Sequence, residues 1–217
     1  MCGIVGAVAE RPITGILIEG LKRLEYRGYD SAGIATLDQG KINISRAEGK
    51  LINLEKKLHE KPLTGQTGIG HTRWATHGRP SEINAHPHYA GGFVVVHNGI
   101  IENYALLKTA LEKDGHVFKS ETDTEVLNHL IEAIQERDNL PLEEAVRIAL
   151  TRVIGAYAIV VIDQEDPGKI VAARKASPLV VGLGKNEFFL ASDATPIIEY
   201  TNRVVYLDDE QIAVVSL

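Results

Sequence analysis

The amino-acid sequence predicts an α+β fold, most simply two packed sheets with helices outside them. The strand and helix patterns come in blocks rather than in strict alternation: helices cluster in the first two thirds of the chain and strands dominate the last third. The 217 residues are 44% hydrophobic, which is enough to bury a sizeable core. Because the chain has no low-complexity linker and no repeat at a fixed period, we expect residues 1–217 to form one domain.

The first half of the chain begins with a strand and a helix. A short apolar run over residues 2–9 predicts the strand, and apolar residues at helical spacing over residues 13–24 predict an amphipathic helix behind it. The other elements predicted here are strands at 32–37 and 41–46, a helix at 51–58, and strands at 68–75 and 93–97.

The second half places three helices before a series of strands. The first helix, at 102–114, is ended by Gly115, the second runs over 123–137 with an apolar face, and the third, at 141–153, begins at Pro141, which suits a first turn. The remaining residues are mostly β, with strands predicted at 156–163, 170–174, 179–184, 187–192, 204–207 and 211–215.

Composition excludes several classes of function. The net charge is -6 and the sequence holds no Lys/Arg run that could neutralise phosphates, so nucleic-acid binding is disfavoured. No apolar run approaches the roughly 20 residues that a membrane span needs, and no secretory signal pattern is present. One cysteine rules out an internal disulfide, which suits a reducing compartment. We therefore expect a cytoplasmic protein without membrane contact.

That cysteine is Cys2, directly after the initiator Met1. Removal of Met1 would leave a thiol and a free α-amine on one residue. A free thiol has a pKa of about 8.5 and an α-amine one of about 7.7 to 8.0, so the amine can carry the thiol proton at neutral pH. The two groups would form a nucleophile with its own base. A small second residue is also common simply because it permits Met1 removal, so Cys2 alone leaves both interpretations open.

Four polar segments between the predicted elements are unusually rich in chemically active residues. They are EYRGYDSAG from Glu25, HTRWATHGRPSEINAHPH from His71, VVHNGIIEN from Val95 and SETDTEV from Ser120. Residues 76–88 contain two prolines and three histidines and almost no apolar residue, which is long for a connection in a compact domain. Loops of this kind are usually binding loops or lids.

Four positions in these segments fit the needs of acyl transfer on an amino acid. The Asn98 amide and the Gly99 N–H can donate two hydrogen bonds to a developing oxyanion, although Asn-Gly is also a strong tight-turn signal. Arg73 can bind a carboxylate in bidentate fashion or form a surface salt bridge. Asp123 can bind an ammonium or act as a helix N-cap. Together, a cation at Arg73 that binds a carboxylate and an anion at Asp123 that binds an ammonium would recognise an α-amino acid.

Six motifs in one order carry a resemblance to a known family. They are MCGIVG, LEYRGYDSAGIA, HTRWATHG, NAHPH, VVHNGIIEN and SETDTEV. Over essentially the whole chain the sequence resembles the class II glutamine amidotransferases, and among them the glutaminase domains of glutamine-fructose-6-phosphate aminotransferases. The resemblance implies the N-terminal nucleophile hydrolase fold, a four-layer αββα sandwich. It also implies a C-terminal sugar isomerase domain in the full-length enzyme, which this chain lacks.

The resemblance assigns the catalytic groups. Cys2 would be the nucleophile and its own α-amine the base, while Asn98 and Gly99 would form the oxyanion hole. Arg27 would help to order the nucleophile. The implied reaction hydrolyses the side-chain amide of L-glutamine to L-glutamate and ammonia through a γ-glutamyl thioester, the ammonia-supplying half of glucosamine 6-phosphate synthesis from fructose 6-phosphate. A retained Met1 would block the amine.

The resemblance also assigns the substrate contacts. Arg73 would bind the glutamine α-carboxylate, helped by Thr76 and His77, and Asp123 would bind the α-ammonium. Trp74 and the loop that follows it would close over the substrate. No cofactor and no metal are implied.

Three alternatives stay open. The chain could instead be the glutaminase domain of an amidotransferase of purine, asparagine or glutamate synthesis, although such relatives differ around YRGYDSAG and RWATHG. It could be a metal-binding module, or a regulatory domain that binds glutamine without cleaving it. The histidines from which a metal site could be built are His71, His77, His86, His88 and His97.

Overall fold

The computed structural model describes residues 2–217, so Met1 and its expected removal lie outside the described residues. Within that range the helices are α1 (Thr14–Arg23), α2 (Leu51–Glu60), α3 (Tyr104–Lys113), α4 (Glu125–Asp138) and α5 (Leu142–Leu150). The strands are β1 (Gly3–Ala9), β2 (Ser31–Asp38), β3 (Lys41–Glu48), β4 (Thr67–Arg73), β5 (His88–Ala90), β6 (Phe93–Ile101), β7 (Gly155–Asp163), β8 (Lys169–Lys175), β9 (Val180–Leu183), β10 (Glu187–Ala191), β11 (Val204–Tyr206) and β12 (Ile212–Ser216).

The strands form two antiparallel sheets. The larger has the order β11-β9-β10-β1-β4-β2-β3, and the smaller has the order β12-β8-β7-β6-β5. The amino-terminal strand β1 thus lies inside the larger sheet, between β10 and β4. The central strands β6 and β7 of the smaller sheet pair over nine residues. Residues from both ends of the sequence therefore meet around β1.

Three apolar clusters divide the fold into four layers. One joins the larger sheet to α1 and α2, another joins the smaller sheet to α3, α4 and α5, and the third lies between the sheets. The layer order is helices, sheet, sheet, helices, which confirms the predicted α+β class and the four-layer αββα sandwich. Each sheet is covered on both faces, so its central strands are apolar on both sides.

The alternation of side chains along the strands places the candidate residues. In β1, Ile4 and Val8 face the other sheet, so Cys2, two residues before Ile4, falls on the same side. In β6, Val94 and Val96 also face the other sheet, which puts Asn98 on that inner side. Two residues 96 positions apart in the sequence thus meet between the sheets.

Most predicted elements are confirmed within about two residues of their bounds, and four details are corrected. The strand predicted at 93–97 continues to Ile101, because it pairs with β7 through Ile100 and Ile101. The short strand β5 was not predicted. Strand β4 ends at Arg73 instead of residue 75. Helix α4 begins at Glu125, so Asp123 precedes the helix and does not open it.

Two glycines allow close approaches that shape the site. Gly99 has φ +132, and a Cβ built there would lie 2.0 Å from the carbonyl oxygen of Ala156 on β7. At Gly33 on β2 a Cβ would lie 2.2 Å from the carbonyl oxygen of His86. A larger residue in place of Gly99 would push strands β6 and β7 apart. A larger residue in place of Gly33 would displace the 84–88 segment from β2.

Candidate active site

The Cys2 thiol lies at the edge of the two sheets and is half-buried. The backbone N–H of Trp74 donates to Cys2 Sγ over 3.1 Å. Burial raises the pKa of the Cys2 thiol above its ordinary value, while the Trp74 N–H and the Arg73 charge oppose that rise. The resting group is a protonated thiol, which needs a base to become a nucleophile.

The backbone of Cys2 is held by two side chains that are distant in sequence. The Cys2 carbonyl oxygen accepts hydrogen bonds from the Arg27 guanidinium at 3.1 Å and from Asn98 Nδ2 at 3.2 Å. Arg27 is itself paired with Asp193 at 2.8 Å, and this carboxylate also accepts from the Tyr26 hydroxyl. The position expected to order the nucleophile therefore contacts the nucleophile's own carbonyl group.

Asn98 and Gly99 lie within strand β6, where they face Ala158 and Tyr157 of β7. The tight-turn interpretation of Asn-Gly is wrong, because the chain continues in extended pairing on both sides. The side chain of Asn98 is buried, and its amide nitrogen is directed toward Cys2. A donor held in this way beside the thiol can stabilise charge that develops on a carbonyl oxygen attacked by sulfur.

Arg73 ends strand β4 with its side chain only 4% exposed. Its guanidinium donates to the carbonyl oxygens of His77 and Gly78, and the carboxylate of Asp30 lies 4.0 Å away. Burial lowers the pKa of Arg73, which is the effect of desolvation on a cation. Because this guanidinium is buried and its ion pair with Asp30 spans 4.0 Å, the surface salt-bridge interpretation fails, and the guanidinium can bind an anion in the cleft.

Asp123 lies just before α4 with its carboxylate buried. One oxygen, Oδ2, accepts the Ile101 N–H at 2.9 Å, and the other, Oδ1, lies 3.9 Å from His77 Nδ1. That ring nitrogen has no hydrogen-bond partner among the described residues. The arrangement leaves a polar gap beside a buried anion, which suits an ammonium group. Asp123 does not act as the N-cap, because that position belongs to Thr124.

A narrow cleft joins several of these groups. Its lining residues are Cys2, Arg73, Trp74, Thr76, His77, His86, His97, Gly99, Thr122, Asp123 and Thr124. A second, more apolar cavity shares Cys2, Trp74, Thr76 and Gly99 with it. Trp74 is 55% exposed, and its ring packs over Gly28.

The histidines proposed for a metal module do not converge on one point. Four of them, His71, His86, His88 and His97, are fully buried and hydrogen-bonded to neighbours, whereas His77 lies at the cleft. Within residues 2–217, one group of three possible metal ligands has its atoms within 4.8 Å of one another, and it consists of His116, His129 and Glu132. None of these belongs to the predicted set, and Glu132 already accepts a hydrogen bond from His129.

The buried histidines make stability depend on pH. Burial lowers the pKa of His71 and of His88 from 6.5 to about 3, and it also lowers the pKa of His86 and of His97. The unfolded chain binds protons at these sites below about pH 6.5, whereas the folded chain does not. Their contribution to stability is therefore complete above pH 6.5 and is lost as the pH falls toward 3.

We expect the free energy of unfolding to fall between pH 7 and pH 5 by more than about 1.4 kcal/mol per pH unit, the slope for one proton. Urea titrations at pH 7, 6 and 5 measure it. Glu125 does not contribute in this window, because its pKa is lowered from 4.5 to about 2 by His129 and Ser120 in spite of burial. The pKa of His129 is raised in the folded chain, so this residue stabilises the fold as the pH falls. His129→Gln should therefore make the loss of unfolding free energy between pH 7 and pH 5 steeper. Equal stability at pH 7 and pH 5 would contradict the assignment.

Several residues around the cleft were not singled out from the sequence. Asp30 accepts the Ala75 N–H at 2.5 Å and lies beside Arg73, and Thr124 bridges His86 and His97. Tyr104 packs edge-on against His77. Asp30 lies within the YRGYDSAG motif and Thr124 within SETDTEV, so the motifs pointed to both segments without indicating which side chains turn inward.

Comparison with known families defines the class. A family model described as a glutamine amidotransferase domain matches residues 71–199, more than half of the chain. The chain belongs to the glutamine amidotransferase family. None of the described helices is long and apolar enough to cross a membrane.

The most informative relatives are sugar-phosphate aminotransferases. The chain is 57% identical over its whole length to the glutamine-fructose-6-phosphate aminotransferase (isomerizing) of Bacteroides thetaiotaomicron, of which it covers 36%. It is 54% identical to the enzyme of the same name from Pyrococcus horikoshii, again over 36% of that protein. The chain thus spans about a third of the length of the curated relatives it matches.

The fold also matches solved structures. The glutamine phosphoribosylpyrophosphate amidotransferase of B. subtilis, complexed with ADP and GMP, superimposes with a TM-score of 0.80 at 24% identity, over 99% of this chain and 49% of that one. A structure described as the allosteric regulatory enzyme of purine biosynthesis gives a TM-score of 0.82, also at 24% identity and over 49% of that chain. These likenesses concern the fold.

Proposed function

We propose that residues 1–217 form a single glutaminase domain that hydrolyses L-glutamine to L-glutamate and ammonia. The observation that carries the proposal is one narrow cleft lined by the Cys2 thiol, the buried cation Arg73 and the buried anion Asp123. A cation and an anion beside a nucleophile match the carboxylate and ammonium of an α-amino acid whose side chain reaches the sulfur. With a catalytic free thiol and no second cysteine, the proposed location is the cytoplasm.

The reaction proceeds in two acyl-transfer steps. After Met1 is removed, the α-amine of Cys2 takes the thiol proton and Sγ attacks the amide carbon of glutamine. Asn98 Nδ2 and the Gly99 N–H donate to the oxyanion, and the amine returns its proton to the leaving nitrogen. Ammonia departs and a γ-glutamyl thioester remains. Water then gives a proton to the amine and attacks the thioester, which releases glutamate and restores the thiol.

In the full-length protein the ammonia would supply a C-terminal sugar isomerase domain that makes glucosamine 6-phosphate from fructose 6-phosphate. The support is the resemblance to the aminotransferases named above, of which this chain covers about a third. Residues 1–217 contain neither a P-loop pattern nor a G-x-G-x-x-G fingerprint for a sugar or nucleotide phosphate. We therefore propose that this chain alone releases its ammonia into solvent.

The test is an assay of Met1-free protein, verified by intact mass, with glutamine in the presence and absence of fructose 6-phosphate. Glutamate and ammonia should form in equal amounts without added metal or nucleotide, and the sugar should have no effect. If Met1-free protein binds glutamine without hydrolysing it, the chain is a glutamine-binding regulatory domain. Formation of the amino sugar by this chain alone would contradict the assigned half-reaction.

Charge removal at the cleft should weaken ligand binding. We expect Arg73→Ala and Asp123→Ala each to reduce the affinity for glutamate by at least about tenfold, since each leaves a desolvated ligand charge without its partner. Titration calorimetry with glutamate measures the change. Glu136→Ala is a matched control, because that carboxylate is exposed on α4 and lies outside the cleft lining. Unchanged affinities in the first two variants would remove both residues from the site.

A further inference from the structure

A chain of buried polar side chains runs from Asn98 to the residue before α4. His71 Nε2 lies 2.9 Å from Asn98 Oδ1, and His86 Nδ1 lies 2.9 and 3.1 Å from the two ring nitrogens of His71. His86 Nε2 lies 3.0 Å from the Thr124 hydroxyl, which lies 2.9 Å from His97 Nδ1. The three histidines and Thr124 are all at most 4% exposed. The mechanism above uses none of these four residues.

Two backbone carbonyl groups determine how this chain is protonated. A carbonyl oxygen can only accept, so the Asn98 atom that lies 3.2 Å from the Cys2 carbonyl oxygen is the amide nitrogen, and its oxygen faces His71. The His97 carbonyl oxygen lies 3.0 Å from His71 Nε2, so this nitrogen carries a hydrogen. The same N–H faces Asn98 Oδ1, which makes His71 the donor to the Asn98 amide.

The remaining protons follow in one order. Burial keeps His71 neutral, with a pKa of about 3, so its Nδ1 has no hydrogen. His86 is set edge-on to the His71 ring, and its Nδ1 must carry a hydrogen, because a lone pair there would face the lone pair and the π-electrons of His71. His86 Nε2 then accepts from the Thr124 hydroxyl, whose oxygen lies 2.9 Å from His97 Nδ1.

We propose that this chain of neutral histidines positions Asn98 for catalysis by holding its amide nitrogen toward the reacting carbonyl. The inference rests on the proposed glutaminase function. An asparagine amide has nearly the same shape in its two flipped orientations, and only one of them presents a donor. The flipped orientation would aim Oδ1 at the developing oxyanion. His71 and Thr124 are positioning residues, since neither of them donates to the substrate.

The sharpest test replaces Thr124, because it is remote from Asn98 and its hydroxyl does not cap α4. Thr124→Val keeps the volume and removes the link between His86 and His97, whereas Thr124→Ser keeps the hydroxyl and is the matched control. We expect Thr124→Val to lower kcat several-fold with KM unchanged, and Thr124→Ser to retain wild-type kcat. His71→Met changes the residue that contacts the Asn98 amide, and we expect it to lower kcat about tenfold. This loss is smaller than the loss expected when the Asn98 donor itself is removed.

Each substitution is also made in an Asn98→Ala background. Once Asn98 is gone, His71→Met and Thr124→Val should change kcat by less than about twofold, because residues that act through one group are not additive. Alkylation of Cys2 by iodoacetamide, a displacement at saturated carbon that forms no oxyanion, should keep its rate in all variants. If His71→Met fails to fold, the comparison of Thr124→Val with Thr124→Ser tests the proposal.

Three results would overturn the proposal: wild-type kcat in both His71→Met and Thr124→Val, equal losses with and without Asn98, or a matching loss in the alkylation rate. Each would mean that the chain serves only the packing of the fold. The wild-type protein distinguishes the proposed glutaminase function from the proposed positioning of Asn98. If Met1-free wild-type protein does not hydrolyse glutamine, the glutaminase function is refuted, whereas the geometry around Asn98 is not.

Discussion

Replacement of Cys2 by Ala is expected to abolish glutamine hydrolysis while leaving the fold intact. The thiol is the one sulfur nucleophile in the sequence, and it lies at the junction of the two cavities that contain the other candidate groups. Among residues 2–217, Sγ makes its hydrogen bonds with the backbone of Trp74, whose N–H donates to it and whose carbonyl oxygen accepts from it, so its loss removes two weak hydrogen bonds. Glutamate release, followed with a coupled assay, measures the effect.

The control for this variant is wild-type protein that retains Met1. Such protein keeps the thiol but lacks the free α-amine, so it should be nearly as inactive as Cys2→Ala if the amine is the base. Intact mass before and after treatment with a glutamine-mimicking alkylator reports the Met1 state and the labelled residue in one measurement. Appreciable turnover by Cys2→Ala would end the hypothesis, and full turnover by the Met1-retaining protein would remove the amine from the mechanism.

Replacement of Asn98 by Ala is expected to reduce kcat by roughly 10²- to 10³-fold, the usual cost of removing one oxyanion donor. The reason is geometric: the Asn98 amide nitrogen lies beside the Cys2 backbone, where a carbonyl group attacked by Sγ would place its oxygen. KM should change much less, because the donor acts mainly on charge that forms in the transition state. Steady-state kinetics on Met1-free protein measure both constants.

Asn43→Ala, on the partly exposed strand β3, is the control for loss of an asparagine side chain from the fold. It should leave kcat and KM at their wild-type values. If Asn98→Ala kept normal turnover, Asn98 would be a structural residue of strand β6 that stabilises the Cys2 carbonyl, and the oxyanion would have to depend on backbone donors.

Local sequence patterns predicted the elements well where apolar periodicity is strong. The strands at 32–37 and 156–163 and the helices at 51–58 and 141–153 were placed within about three residues of their observed bounds. The apolar spacing that sets each pattern is a property of neighbouring residues, so it can be read without knowledge of partners. The motifs around Cys2, Arg73 and Asp123 likewise identified segments that the fold brings to one cleft.

The errors occurred where pairing with a distant segment decides the local structure. Asn98, Gly99, Ile100 and Ile101 continue a strand because β7, more than 50 residues later, pairs with them, and Asn-Gly alone favours a turn. The three residues of β5 form a strand only against β6. Such pairings override local propensity, since they satisfy the hydrogen bonds of buried backbone groups.

By itself the sequence determined the α+β class, the order of the elements, the single cysteine beside the initiator and the motifs that carry the family resemblance. Only the tertiary structure decided which way the side chains in those motifs point. Asn98 turns its amide nitrogen to Cys2 because His71, on another strand, meets its oxygen, and Arg73 is a desolvated cation because the loop after β4 buries its guanidinium against carbonyl groups. The physical reason is that hydrogen-bond direction and burial depend on groups brought together by two packed sheets, and the order of residues along the chain does not contain those distances.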